Sequence, residues 1–397
     1  MHILNSFINR NIEAFCKIFF QKIKHGNINV ILPSGKSIYF KGNEIGVDAD
    51  IKLYNYSFIN KIIDKGSIGF AESYIDNDFS TSNLSNLLIL AKNNEKEYLN
   101  LLKGKWLYSF VRKFKHHLNQ NTKSRSKKNI KYHYDLGNKF YELWLDETMT
   151  YSSGLFNKPN DNLFQAQINK YQHIIKHMEL NDKTSVLEIG CGWGGFTTFA
   201  AKTFKSNIKA ITISKKQYDY TSKRIFQEGL ADKVKVELKD YRDINEKFDH
   251  IVSIEMFEAV GKKYWPVFFN KIKNSLKING LAALQVITIE DNRAENYQKN
   301  PDFIQSYIFP GGVLPSKNQL FDITSELDLK ICDYINFGVS YAKTLYYWNK
   351  KFQNSWLKIA EQGFSENFKK MWEYYFSYCE VGFTEGTTDV SHFIITK

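Results

Sequence analysis

VLEIGCGWGG, residues 186–195, decides the reading of this chain. Val186-Leu187-Glu188-Ile189 is an apolar run broken by one acid, and Gly190, Gly192, Gly194 and Gly195 then crowd into six positions. Phe196 to Ala201 follows and reads as helix. A strand that empties into glycines and feeds a helix can hold a nucleotide-like ligand against backbone. Glycine lacks a Cβ, so the chain turns sharply there and lies close to what it binds. The dinucleotide spacing G-x-G-x-x-G fails, because a third glycine comes two positions after the second. No Gly-Lys-Ser/Thr follows, which excludes a phosphate-cradling P-loop.

Outward from this turn, strand and helix patterns alternate. Strands are expected at 185–189, 208–213, 234–238, 248–254 and 281–289, with helices to 204 and at 215–228 and 264–276. Helices at 344–361 and 366–378 and a strand at 392–396 complete the domain. Upstream, Asn160 or Asp161 is expected to cap a helix running to Met178, with Leu163, Ala166, Tyr171 and Ile174 on one side. Such alternation predicts an α/β fold, a doubly wound, mostly parallel Rossmann-like sheet over residues 132–397. Ligands on such sheets bind at the carboxyl ends of the strands, where the glycine turn sits.

Residues 1–115 read as a smaller α+β domain. A basic amphipathic helix at 3–20 precedes a hairpin at 27–40 turning on Pro33-Ser34-Gly35. A strand at 49–56, a helix at 58–65, a loop at 78–83 and a helix at 84–91 follow. Residues 116–131, HHLNQNTKSRSKKNIK, form a basic solvated linker. Lys123, Arg125, Lys127, Lys128 and Lys131 of this linker are candidates for docking on phospholipid headgroups.

Composition narrows the classes. At 397 residues, two domains are expected. A net charge of +12 implies a polyanionic partner, either nucleic acid or an anionic membrane face. There is no zinc-finger spacing, RNA-recognition aromatic motif or Arg-rich arm, so nucleic acid is not expected. Cys16, Cys191, Cys332 and Cys379 are scattered without a C-x-x-C pair, which suits a reducing cytoplasm and gives no metal site. No run of about 18 apolar residues spans a bilayer, and no secretory signal is recognised. A cytoplasmic protein, at most peripheral to the inner membrane face, is expected. The aromatic share of 16% is high, and fits either ordinary core filling or an acyl-chain pocket.

The pattern E-x-G-x-G-x-G resembles motif I of class I S-adenosylmethionine-dependent methyltransferases. YHYDLGNKFYELWLDETMTYSSGLF (132–156), ITISKKQ (211–217), DYRDI (240–244), IEMFEAVG (254–261), YIFPGGVLPS (307–316) and NFGVSYAKTL (336–345) extend the likeness over essentially the whole chain. Together they are similar to the cyclopropane-fatty-acyl-phospholipid synthase family, which includes mycolic acid modifying enzymes and fatty-acid C-methyltransferases. The resemblance implies that residues 1–115 are a lipid-associated domain.

It also implies methyl transfer from S-adenosylmethionine to a double bond in an acyl chain of a membrane phospholipid, with closure to a cyclopropane. Losing the proton elsewhere would leave a methylene branch, and later reduction a methyl branch. A non-catalytic lipid-binding relative is the reading from another class. The partner implied is a phospholipid surface, and the resemblance leaves room for a homodimer.

By the same resemblance, Tyr151, Ser152, Glu188, Gly190, Cys191, Gly192, Trp193 and Gly194 surround the cofactor. Thr212, Ser214 and Gln217 would reach its ribose or adenine side. Asp240 is placed to accept from the adenine amino group, with Tyr241 beside it. Family members hold a bicarbonate ion as base. The implied residues around it are Glu258, Tyr341 and the backbone of Ile287, with Ser153 at a cysteine position and Gln285 at a histidine position. Both replacements can hydrogen-bond an anion, but neither carries a positive charge. Cys379 aligns with a cysteine once proposed as catalytic; the chemistry needs no thiol there, and it reads as a pocket or core residue.

Overall fold

Strand β5, Ser185–Ile189, is buried from Val186 to Ile189, as expected of a central strand covered on both faces. In the computed structural model, which describes residues 17–102 and 136–397, it lies inside a seven-stranded sheet. The other strands are β6 (Asn207–Thr212), β7 (Val234–Leu238), β8 (Phe248–Ile254), β9 (Leu276–Ile289), β10 (Lys330–Asn336) and β11 (Thr388–Thr396). Their order is β10-β11-β9-β8-β5-β6-β7. Strands β9, β8, β5, β6 and β7 run parallel, while β11 runs antiparallel to both β9 and β10. The doubly wound, mostly parallel sheet read from the alternation is therefore present.

Two apolar clusters flank the sheet. One gathers Leu187, Ile251, Phe257, Phe268, Phe269 and Leu284; the other gathers Val186, Phe196, Ala200, Ile208, Val252 and Ala283. Adjacent residues of one strand fall in opposite clusters, as the pleat requires.

The chain divides into two compact units, 1–114 with 363–381 and 115–362 with 382–397. The first contains a sheet ordered β2-β1-β3-β4, from β1 (His25–Ile31), β2 (Ser37–Lys41), β3 (Glu44–Leu53) and β4 (Phe79–Ser80). β1 and β2 form an antiparallel hairpin around Gly35, and β3 pairs in parallel with β1. Helices Ser57–Lys65 and Leu84–Asn93 supply Phe58, Ile59, Ile62, Leu87 and Leu90 to the core of this unit. Segment 363–381 returns to this unit although the order of motifs along the chain assigns it to the catalytic domain. Tyr74 Oη donates to Glu373 at 2.9 Å and Ser85 Oγ to Glu380 at 3.1 Å.

Several boundaries shift for local reasons. Asn162, rather than Asn160 or Asp161, caps helix Leu163–Ile175, its side chain accepting from Gln165 N. β9 begins at Leu276 instead of 281, because a register shift opposite Phe248 and His250 absorbs the extra residues. The segment at 344–361 is two helices, Gly338–Asn354 and Trp356–Ala360, divided at Ser355. Strand β10 and helices Asp291–Lys299 and Lys317–Glu326 were not among the expected elements. The linker at 116–131 and most of the helix at 3–20 lie outside the described residues.

Candidate active site

The turn after β5 is built from backbone. Gly190, Gly192 and Gly194 all have positive φ, at 83°, 53° and 79°. The Gly190 and Cys191 amides both donate to Ile211 O on β6, at 2.9 and 3.0 Å, which pins the turn to the neighbouring strand. A Cβ on Gly190 would stand 2.7 Å from Met256 Cγ, whereas one on Gly192 would meet nothing within 4 Å. Gly192 therefore faces open space across a left-handed backbone, a cradle that only glycine leaves clear without strain.

Around this cradle the implied cofactor residues divide into two groups. Thr212 Oγ1 lies 2.9 Å from Gln217 Oε1 and donates to it, and the Ser214 side chain caps helix Lys215–Gln227. These groups sit together at the end of β6. Asp240 follows β7, but Arg242 engages both its oxygens, Nε at 2.8 Å and Nη2 at 2.6 Å. Cys191 and Trp193 turn inward: Cys191 joins an apolar cluster, and Trp193 Nε1 donates to Asn138 at 2.9 Å. Tyr241 is likewise core. Glu188 is buried and accepts from the Thr197 hydroxyl; burial pushes its carboxyl up to about 8.

Residues 151–154 contact both the aromatic side chains and the polar groups around the site. The Tyr151 ring lies 5.5 Å from Tyr141, 5.3 Å from Trp144 and 5.2 Å from Trp348, centroid to centroid. Tyr341 stacks on Phe383 at 4.3 Å. Ser152 is buried, and its hydroxyl accepts from Lys170 Nζ at 2.7 Å. Lys170 is itself fully buried; desolvation lowers its pKa, against the pull of Glu255, Asp146 and Glu188.

Past the end of β8 come two acids, Glu255 and Glu258. Glu255 has φ of 48°, a left-handed conformation costing roughly 1–2 kcal/mol in a residue with a Cβ. Three donors converge on its carboxylate. Ser153 N reaches Oε1 at 2.9 Å, Gln285 Nε2 reaches Oε1 at 2.6 Å, and Tyr341 Oη reaches Oε2 at 2.6 Å. Glu258 has a poorer setting. Its Oε1 accepts from Ile287 N at 2.5 Å, while its buried Oε2 finds no partner among the described residues. Burial, then the charge of Glu255, push the Glu258 carboxyl up to about 8. Burial thus favours the protonated form of Glu258, which has only one donor to stabilise its charge.

Gln285 is held from behind. His392, opposite it on β11, places Nε2 2.9 Å from Gln285 Oε1, and His392 Nδ1 lies 2.8 Å from His173 Nδ1. Because Gln285 Nε2 donates to Glu255, Oε1 must accept, so His392 carries its proton on Nε2. Burial depresses the His392 pKa well below the usual value, which keeps the ring neutral.

Of the residues implied for an anion site, Tyr341 and Gln285 meet at Glu255 together with the Ser153 amide, and Ile287 N serves Glu258. The Ser153 hydroxyl turns away to Gly154 O at 2.8 Å. The donors meant for a bicarbonate are already taken by side-chain carboxylates. Cys379 falls in the first unit and is partly buried. Glu255, Lys170 and His392 were missing from the expected site. Lys170 left a trace, standing midway between Ala166 and Ile174 in the buried stripe of its helix.

The sheet order, the glycine turn and the acids at the strand ends define a class I S-adenosylmethionine-dependent methyltransferase. The family model described as mycolic acid cyclopropane synthetase matches residues 121–393, and the chain belongs to that family. It is 34% identical over 340 residues to the tuberculostearic acid methyltransferase of Mycobacterium tuberculosis, covering 84% of this chain and 79% of that one. It is 35% identical over 337 residues to the cyclopropane-fatty-acyl-phospholipid synthase of Escherichia coli K12, covering 84% of each. Among solved structures, a cyclopropane synthase from M. tuberculosis superposes with a TM-score of 0.64 at 28% identity, covering 68% of this chain and 98% of that one. A mycolic acid cyclopropane synthase solved with SAH gives the same TM-score, identity and coverage. No helix among the described residues is long and apolar enough to cross a membrane, and no cluster there could hold a metal ion.

Proposed function

We propose that this enzyme transfers the methyl carbon of S-adenosylmethionine to the double bond of an unsaturated acyl chain in a membrane phospholipid, forming a cyclopropane. The observation that carries the reading is the packing of Tyr141, Trp144, Tyr151, Tyr341 and Trp348 on one another, with Tyr141 against Trp193 of the glycine turn and Tyr341 donating to the acid Glu255. Bound S-adenosylmethionine supplies an electrophilic sulfonium methyl. The chain supplies the rest. Gly192 leaves room for the cofactor along the backbone, while Gly190 and Gly194 let the turn pack against Met256 and Thr221, with Thr212, Ser214 and Gln217 at the end of β6 near the ribose or adenine.

An alkene is a weak nucleophile, and its attack leaves a carbocation that water would quench. Aromatic faces stabilise positive charge and exclude water at once. A soluble polar substrate would give such aromatic packing no work. The net charge of +12 supports approach to an anionic lipid face, with the first unit as the lipid-associated part. A methyl- or methylene-branched product is the second reading. The similarity to a tuberculostearic acid methyltransferase favours it, as does Gln285 where a charged histidine is implied.

Purified protein with labelled cofactor and liposomes of mono-unsaturated or fully saturated phosphatidylglycerol tests the proposal. Label is expected only in unsaturated lipid, and mass spectrometry after hydrogenation separates ring from branch. Equal label in saturated lipid, or none in lipid, overturns it.

A further inference from the structure

We infer that Glu255 is the general base of the reaction, a carboxylate built into the chain that makes a bound bicarbonate unnecessary. The inference rests on the alkene-methylation reading and adds to it the identity of the proton acceptor. Methylation of an alkene must end in loss of a proton. The alkene π pair bonds to the sulfonium methyl, the carbon–sulfur pair leaves on sulfur as S-adenosylhomocysteine, and the neighbouring carbon is left cationic. For a ring to close, one C–H bond of the new methyl must break, its electron pair forming the third ring bond. The proton passes to a carboxylate oxygen of Glu255 and is released to solvent before the next turnover.

Four observations single out Glu255. It lies past the end of β8, the strand beside β5, and the two turns touch where Gly190 meets Met256. Its donors come from three separate segments, the 153 loop, β9 and helix Gly338–Asn354, and all point at one carboxylate. Its backbone is held at positive φ, a strain that persists only where surrounding structure enforces it. Its neighbour Glu258 has one backbone donor and a buried Oε2 with no partner among the described residues, a setting that favours the neutral acid over a proton acceptor.

Burial raises the Glu255 pKa, while Tyr341, Lys170, Ser153 and Gln285 hold it down. The net direction is upward, so its carboxylate is more basic than one in water. The other groups facing this cluster are Glu258 and, behind Gln285, neutral His392. A bicarbonate would need the Tyr341 hydroxyl, the Gln285 amide and the Ser153 amide, and would lie against a second negative charge. The residues present do not fit it.

The experiment uses the full-length enzyme with mono-unsaturated phosphatidylglycerol liposomes, in buffer stripped of carbon dioxide and in the same buffer with added bicarbonate. Wild-type turnover should be the same in both, and calorimetric titration should detect no bicarbonate binding. Glu255→Gln should bind S-adenosylmethionine normally yet lose ~100-fold or more in kcat, the scale of a lost general base. Glu255→Gly empties the place of the carboxylate. It should bind bicarbonate in the same titration and regain activity when the ion is added.

Wild-type turnover that rises with bicarbonate, or Glu255→Gln turnover at the wild-type level, overturns the assignment. If either variant fails to fold, the wild-type comparison and titration still decide. Absence of wild-type label from every lipid would instead defeat the reading of the substrate.

Discussion

The loops that follow the adjacent strands β5 and β8 are built in opposite ways. After β5, three glycines at positive φ keep side chains out, and Gly192 opens onto space that a ligand can fill. After β8, Glu255 adopts the same left-handed backbone but carries a long acid, which three donors from distant segments hold in place. On the proposed reading, one loop binds with backbone and the other acts with a side chain. A backbone site tolerates no added atom, whereas a side-chain site can be weakened by degrees. The two loops should therefore fail differently when altered.

Glu255→Gln is expected to separate them most sharply, by sparing cofactor binding while removing turnover. Gly192→Val is the converse. Its branched side chain is strained at φ of 53° and enters the cradle, so cofactor binding should fall below detection in titration while the fold, followed by circular dichroism, persists. Normal affinity in this variant would break the reading of the first loop.

Tyr341→Phe removes one charged hydrogen bond and should lower kcat about tenfold. The sign of its pH effect follows from the same bond. The Tyr341 hydroxyl lowers the Glu255 pKa, so its loss leaves the base protonated to a higher pH. The acid limb of the pH–rate profile should move upward in pH; an unmoved limb would separate Tyr341 from the base. His392→Leu frees Gln285 to rotate its amide. A few-fold loss in kcat, with the KM for cofactor unchanged and partial rescue in His392→Gln, would mark a positioning role.

The smallest effect concerns stability. Glu258 has a carboxyl raised to about 8, so its protonated form is favoured by folding. That contribution is complete below the ordinary carboxylate range and is lost as pH climbs toward 8, because only the unfolded chain ionises freely. Glu258→Gln cannot ionise. Its melting temperature should exceed that of wild type by a few degrees at pH 8 and match it near pH 4.5. A difference that does not change with pH would remove the buried proton from Glu258.

The legibility of these regions differs for the same reason that their construction does. The glycine turn and the strand–helix alternation lie within short stretches, and local backbone preference is written in consecutive residues. The N-cap of helix Leu163–Ile175 slipped by one or two positions because Asn160, Asp161 and Asn162 offer equivalent side chains and only geometry chooses among them. Strand β10 alternates exposed and partly buried residues at the sheet edge, too weak a signal to rank beside the apolar central strands. In the site, Tyr341, Gln285 and Ile287 were recognisable through resemblance, yet what they hold was not. Glu255 and Glu258 stand in one turn, and only the register of β8, β9 and β11 shows which acid faces the donors.

The amino-acid sequence by itself determined the sheet class, the ligand-binding turn and the family, because each depends on residues adjacent in the chain or on long blocks of likeness. Tertiary structure alone decided that segment 363–381 joins the first unit and that Lys170 lies buried against Ser152. It alone decided, too, that Glu255 takes the donors expected for an ion. Those outcomes depend on segments separated by tens to hundreds of residues, and only closure of the core brings their side chains within hydrogen-bonding distance.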